Sequence, residues 1–299
     1  MTVPQFDLLT VGETMALVTP FAGDSIIDAA SLRLEPGGAE SNVAAHAAAL
    51  GVRSAWFSRL GDDPLGVRLL RQLADRRIDV SSVVTDSLHP TGLYVKSPGA
   101  GVSYYRAGSA ASHLSPDDLA LVPLDGVRVL HVSGITAAIS PSAHSFMLAL
   151  IDSAHRAKVT VSFDVNDRRQ LWSIETAAAA LDVLARRADL VFVGRDEAQR
   201  LWGTASAADV RDRFAETTEL VVKDAEFGAT AYTAEGEFFE PSEVVTVVDA
   251  VGAGDAFAGG YLAARLADES VGERLRAGHR RAALTLQTTA DLVDERMTP

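Results

Sequence analysis

Six short apolar runs, separated by stretches of helical periodicity, constrain the fold of this chain more than any other feature. They are LLTVG (8–12), AWFSRLG (55–61), VRVLHVSG (127–134), VTVSFDVN (159–166), LVFVG (190–194) and ELVVKD (219–224). Their near-continuous Val, Leu and Phe content is that of strands covered on both faces. Helical patterns lie between them near 39–50, 64–77, 142–156, 175–187 and 206–215. The rhythm predicts an α/β fold, with a mostly parallel central sheet flanked by helices. At 299 residues and 47% apolar content, the chain suffices for one large domain or two small ones.

Two stretches break the rhythm. Residues 14–36 read as strands with no helix between MALVTP and SLRLEPGG, and 91–108 reads as a hairpin around SPGAG. Both are expected to project from the main sheet as a small β lid. Alternation in VSYYRA places Val102, Tyr104 and Arg106 on one face and Ser103 and Tyr105 on the other. A turn centred on Gly99 sets Tyr94 opposite Tyr104. The shared face then carries two tyrosines and an arginine, suited to a polar, anionic ligand. An exposed hairpin with ordinary aromatic cross-strand pairs accounts for the same spacing.

Charge and composition narrow the partners. The net charge of −13 argues against nucleic acid or an anionic membrane as the main partner, while a local arginine cluster still permits a small anion. With no cysteine, disulfides and thiolate metal sites are excluded. The start, MTVPQFDLLTVGE, lacks the basic and apolar regions of a signal peptide, and no apolar run approaches a membrane span. A soluble cytoplasmic protein is expected.

In open α/β sheets, ligands bind beyond the carboxyl ends of the strands. Those ends carry polar residues here: SGIT, DVNDRRQLW, GRDE, KDAEFG and GAGD. In GAGD, the amides of Gly252, Ala253 and Gly254 stand at the start of an alanine-rich helix, where free N–H groups bind phosphate. Asp255 follows at once, placed to take a proton from an attacking hydroxyl. The helix dipole is expected to keep it ionised and so a weak base, which phosphoryl transfer tolerates. A glycine turn with a helix-start aspartate is the structural alternative. No GxxxxGK[ST] phosphate loop and no GxSxG elbow occurs, and Phe257 stands where a dinucleotide fingerprint needs its third glycine. The seven histidines show no metal-ligand spacing.

GGAESNVAAHAAALG (37–51) and DAVGAGDAFAGG (249–260) lie about two hundred residues apart. Together they resemble the two signatures of the ribokinase/PfkB carbohydrate kinase family, over nearly the whole chain. The resemblance implies a single ribokinase-like domain over 1–299 with lid segments at about 14–36 and 91–108. It also implies ATP and Mg²⁺ as cofactors, Asp255 as catalytic base and Gly252 to Gly254 as the anion hole. Within the family the chain is most similar to the 2-keto-3-deoxygluconate kinases, through GGAESN, TGLY, YYRAGSAAS, HVSGIT, DVNDRRQLW and VVK. That similarity assigns Gly38, Tyr94, Tyr104, Arg106 and Arg168 to a sugar acid, with either arginine pairing with its carboxylate or polarising its keto group. It assigns Lys223, Gly228, Gly254 and His279 to the nucleotide, and Glu197 to the magnesium network through water.

Several positions depart from the family pattern. Ala250 follows the first Asp of the second signature, Gly194 replaces the Asn of N-x-x-E, and Ala225 replaces the first Gly of KxGxxG. His279 stands where Asn is common, and Asp167 where the subfamily often has Tyr. The expected activity is phosphorylation of the primary hydroxyl of a 2-keto-3-deoxy sugar acid. The alternatives are a fructokinase or another neutral-sugar or nucleoside kinase, or a non-catalytic sugar-acid binding protein. A homo-oligomer joined through the lid is expected from its open strand edges.

Overall fold

The computed structural model describes residues 6–21, 25–97 and 101–288. The chain enters through β1 (Leu8–Val11), β2 (Met15–Pro20) and β3 (Leu32–Gly37), then β4 (Ser54–Phe57), β5 (Arg59–Gly61), β6 (Ile78–Asp79) and β7 (Val84–Asp86). A hairpin of β8 (Leu93–Ser97) and β9 (Gly101–Tyr105) precedes β10 (Val129–Ser133), β11 (Thr160–Asp164), β12 (Leu190–Gly194) and β13 (Glu219–Asp224). A second hairpin, β14 (Gly228–Thr233) and β15 (Gly236–Pro241), completes the strands among the described residues.

The large sheet runs β15-β14-β13-β12-β11-β10-β1-β4-β6. Every pair from β13 to β6 is parallel. Strands β1, β4, β10 and β12 are buried along their whole length, as expected for strands covered on both faces. Among the described residues the antiparallel pairings of this sheet are β13–β14 and β14–β15, at one edge. The expected strand at 55–61 divides at Ser58. Arg59 turns out of the sheet to pair with Asp86 and Asp118 at 2.8 and 2.7 Å, and β5 pairs with β7 instead.

Helices α1 (Ala39–Ala49), α2 (Pro64–Ala74), α3 (Gly134–Ala138), α4 (Pro141–Arg156), α5 (Ile174–Arg187), α6 (Arg195–Trp202), α7 (Ala207–Arg213), α8 (Ala253–Leu266) and α9 (Val271–Leu286) fill the connections. Side chains of Asp63, Ser140 and Ser173 cap α2, α4 and α5, each contributing about 1 kcal/mol. One face of the sheet packs Phe146, Leu150, Leu181 and Leu184 of α4 and α5. The other packs Val43, Phe257, Tyr261 and Leu275 of α1, α8 and α9. On that second face α1 and α8 approach closely. A Cβ at Gly259 would stand 2.6 Å from the Cβ of His46, so the small residues of both helices set their spacing.

The two stretches that broke the sequence rhythm join as one smaller sheet, ordered β3-β2-β8-β9. The β8–β9 register pairs Tyr94 with Tyr104, as the alternation predicts. Gly99, the expected centre of that turn, lies outside the described residues.

Candidate active site

Strand order reverses at β1, which lies between β10 and β4. A crevice opens at such a switch point, beyond the strands' carboxyl ends. Here it is a cleft of about 700 Å³, lined from the large sheet by Asp164, Lys223 and Asp255 and from the small sheet by Tyr94, Tyr104 and Arg106.

The α8 end of the cleft is built by the turn before it. Gly252 caps the helix at φ 83°, in the left-handed region that glycine reaches without a Cβ penalty. The first-turn amides lack helical partners, and the turn presents Gly252, Gly254 and Asp255 to the cleft. Asp255 is only 8% exposed. Its Oδ2 accepts a 2.9 Å hydrogen bond from Asn42 Nδ2 of α1, and Asn166 Nδ2 lies 3.5 Å from Oδ1. Asn166 itself sits at φ 40°, a backbone state that asparagine tolerates better than most residues. Burial raises the Asp255 carboxyl to about 7, against the opposing pull of Asn42 and Arg168. The expected weak base is thereby corrected. Desolvation is the largest influence on the group, which is poised near neutrality.

Beside it lies a second charged group. Lys223 Nζ bonds Asp164 Oδ2 at 2.8 Å and lies near Gly254. Burial works against the Lys223 charge, but Asp164 and Glu197 outweigh it and hold the ammonium above its ordinary value. Glu197 accepts the amides of Asp167 and Gly194, both at 2.9 Å. Burial and the neighbouring Asp164 raise its carboxyl. Asp164 Oδ1 is buried in the cleft wall without a hydrogen-bond partner. Among the described residues no group of three or more acidic, His or Cys side chains could hold a metal alone.

The opposite wall is the small sheet. Tyr94 is buried and stacks on Tyr104 with ring centroids 5.6 Å apart. Gly38 closes the floor, where a Cβ would stand 2.2 Å from the Glu13 carbonyl. Arg106 forms an ion pair with Glu13, with side chains 11% and 1% exposed. The other Glu13 oxygen accepts Ser109 Oγ at 2.5 Å. Arg168 is exposed at the cleft rim, on a loop held by Asp167, which pairs with Arg200 at 2.8 Å.

A buried carboxylate beside an amide turn, facing an arginine-bearing wall, can accept a proton from a hydroxyl while a phosphoryl group is held. The comparisons agree with that chemistry. The model of the pfkB family carbohydrate kinases matches residues 5–294. The chain belongs to the pfkB family of carbohydrate kinases. It is 34% identical to the 2-dehydro-3-deoxygalactonokinase of Haloferax volcanii, over 96% of this chain and 92% of that protein. To the 2-dehydro-3-deoxygluconokinase of Bacillus subtilis it is 33% identical, with the same coverage. Among solved structures, a PfkB protein from Polaromonas sp. JS666 superposes with a TM-score of 0.87 at 34% identity, covering 94% of this chain and 96% of that one.

In this carbohydrate kinase the cleft brings together Gly38, Tyr94, Tyr104, Arg106, Arg168, Glu197, Lys223, Gly252, Gly254 and Asp255, all expected from the sequence. Ala253 opens α8 beside them, but its amide lies 3.4 Å from the Ala250 carbonyl. Gly228 and His279 do not line this cleft. They meet at the Glu240 carbonyl instead, which His279 Nε2 contacts at 3.1 Å and a Gly228 Cβ would crowd at 2.3 Å. Lys223, expected on the nucleotide, pairs with Asp164 beside the α8 turn. Sequence reasoning did not single out Asn42, Asn166, Asp164 or Glu13's pairing. The first three lie inside motifs already quoted, GGAESN and DVN, which was the available signal.

Proposed function

We propose that the chain transfers the γ-phosphoryl group of ATP to the primary hydroxyl of a 2-keto-3-deoxy sugar acid, the substrate class named in both relatives above. The observation that carries the reading is a buried Asp255 at the α8 turn, facing Arg106 on the small-sheet wall with Arg168 at the cleft rim. The substrate hydroxyl oxygen attacks the γ-phosphorus, the bond to the β-phosphate oxygen breaks, and the hydroxyl proton passes to Asp255. Asn42 bonds Oδ2 at 2.9 Å, whereas Oδ1 has only the longer 3.5 Å contact from Asn166, so Oδ1 is the receiving atom. The Gly252 and Gly254 amides and Lys223 face the phosphoryl group and offset its charge, while the Ala253 amide is directed at the Ala250 carbonyl. Magnesium fits this site only through water and phosphate oxygens, held by Asp164, whose Oδ1 lacks a partner, and by Glu197. When bound it neutralises charge on the transferring group.

The two arginines divide the substrate between them. Glu13 already compensates the Arg106 charge, so Arg106 acts as a fixed donor to the keto or hydroxyl oxygen. Arg168, with no ion pair among the described residues, receives the carboxylate. Gly228 and His279 would meet the nucleotide from the β14–β15 side. Strands β2, β3, β8 and β9 would serve as the lid of a single kinase domain. The face of that sheet opposite the cleft, with its flanking turn, exposes Phe21, Ile27, Leu32 and Tyr105, which a second copy of the chain would cover. Light scattering giving a monomer mass would refute that last point. No helix among the described residues is long and apolar enough to cross a membrane, and the reading places the enzyme with ATP in the cytoplasm.

The test is product identification. Phosphorus NMR of the product is expected to show coupling to the two protons of a primary carbon. Phosphate at another position, or no ester at all, would remove the assigned pose. A neutral-sugar kinase is the reading that then takes its place.

A further inference from the structure

We propose that Lys96 and Asp249 form a clasp that sets the sugar-holding sheet against the phosphate-holding turn, which makes both of them positioning residues. The kinetic consequence rests on the kinase reading above, whereas the contact rests on geometry alone. Lys96 Nζ lies 2.5 Å from Asp249 Oδ2, with side chains 13% and 22% exposed. Lys96 is two residues beyond Tyr94 on β8 and directly opposite Val102, so it projects from the cleft face of the small sheet. Asp249 lies three residues before Gly252, at the entry to the α8 turn.

The Asp249 carboxylate acts in two directions. Its Oδ1 accepts the amide of Val251 at 3.0 Å, which orders the turn, while Oδ2 receives Lys96. The same segment is anchored from behind, because the amides of Val248 and Asp249 both donate to the Leu286 carbonyl at the end of α9, at 2.7 and 3.3 Å. A shift of the small sheet is therefore felt at Val251 and Gly252, which line the cleft. The small sheet needs such a tie. Strand β9 is exposed or half-exposed along its length, unlike the buried strands that carry Asp164 and Lys223. In-line transfer requires the reacting oxygen within about 3–3.5 Å of phosphorus, so a loosely held wall costs rate even when each ligand still binds.

The variants are Lys96→Met, Asp249→Asn, their combination, and Lys96→Arg. Asp249→Asn keeps an acceptor for Val251 while removing the charge. Hydrogen exchange, measured without substrate, is expected to quicken together at 101–105 and 249–252 in either single variant, by about two- to fivefold, with no further gain in the double. Exchange that quickens only in the substituted segment, or effects that add in the double, would overturn the clasp. In turnover, kcat is expected to fall about five- to fiftyfold with both KM values within about twofold, and Lys96→Arg is expected to restore it. A change confined to one KM, or no rescue by arginine, would also overturn it. Should the wild type turn over no sugar acid, the functional reading fails while the exchange experiment still decides the clasp.

Discussion

The two walls of the cleft are built on different physical terms. The transfer end stands on buried parallel strands and the first turn of α8, and its charged groups are desolvated enough for burial to move Asp255 to about 7. The sugar-holding wall is a thin sheet whose β9 residues reach solvent, and its charges Arg106 and Lys96 are paired with Glu13 and Asp249. Chemistry needs a preorganised, water-poor corner, and recognition needs a surface that can admit and release a polar molecule. The difference predicts that substitutions at the transfer end strike kcat and the pH profile, while those on the opposite wall strike KM and selectivity.

The largest expected effect is at Asp255. Asp255→Asn is expected to lower kcat by roughly a thousandfold or more, in line with loss of a general base. The same variant sharpens the comparison through stability. Burial raises the folded carboxyl to about 7 from an ordinary value of 3.8, so between those values the folded protein holds a proton the unfolded chain has lost. Stability therefore falls as pH rises through that window, by about 1.4 kcal/mol per pH unit. Above pH 7, thermal unfolding of Asp255→Asn is expected at a higher temperature than the wild type. A lower Tm there would contradict the buried-carboxylate account.

Next come the arginines. Arg168→Ala is expected to raise KM for the sugar acid about ten- to a hundredfold, the loss of one charged hydrogen bond of about 1.5–3 kcal/mol. Arg106→Ala is expected to raise it too, for sugar acids and neutral sugars alike, because its charge is already compensated by Glu13. Glu13→Gln frees the Arg106 charge, so it is expected to favour acids over neutral sugars further. Equal effects of Arg168→Ala on acids and neutral sugars would remove Arg168 from the substrate carboxylate.

A smaller effect belongs to Asn42, whose hydrogen bond holds Asp255 down. The kcat/KM profile of the wild type is expected to fall on the acid side with an apparent pKa of about 7, and Asn42→Ala to move that limb upward. An unmoved limb would show that Asp255 is not the titrating group. The smallest effect lies away from both walls. Ala225 occupies φ 40° where the family pattern has glycine, so Ala225→Gly is expected to stabilise the fold by about 1 kcal/mol in denaturant unfolding.

Much of this was legible in the sequence, for identifiable reasons. Strands β1, β10, β11, β12 and β13 announce themselves because both faces are covered. The β14–β15 hairpin was missed because edge strands need no such run, and GATAYT carries small residues instead. The smaller sheet and its Tyr94–Tyr104 register followed from a period of two. The Asp255 environment did not. Its partner Asn42 is 213 residues away, and the contact exists only because small residues let α1 and α8 close together. The dipole argument for a weak base considered one helix alone and left out the burial that raises the carboxyl. The pairing of Glu13 with Arg106 likewise joins segments with no local pattern between them.

The most direct test of the whole account is a coupled ADP-release assay with ATP and Mg²⁺ on 2-keto-3-deoxygluconate, its galactonate epimer, fructose, ribose and adenosine. The account predicts strong turnover on one or both keto acids, weak turnover on the neutral compounds, and silence from Asp255→Asn throughout. Preferred turnover of fructose, ribose or adenosine would contradict it.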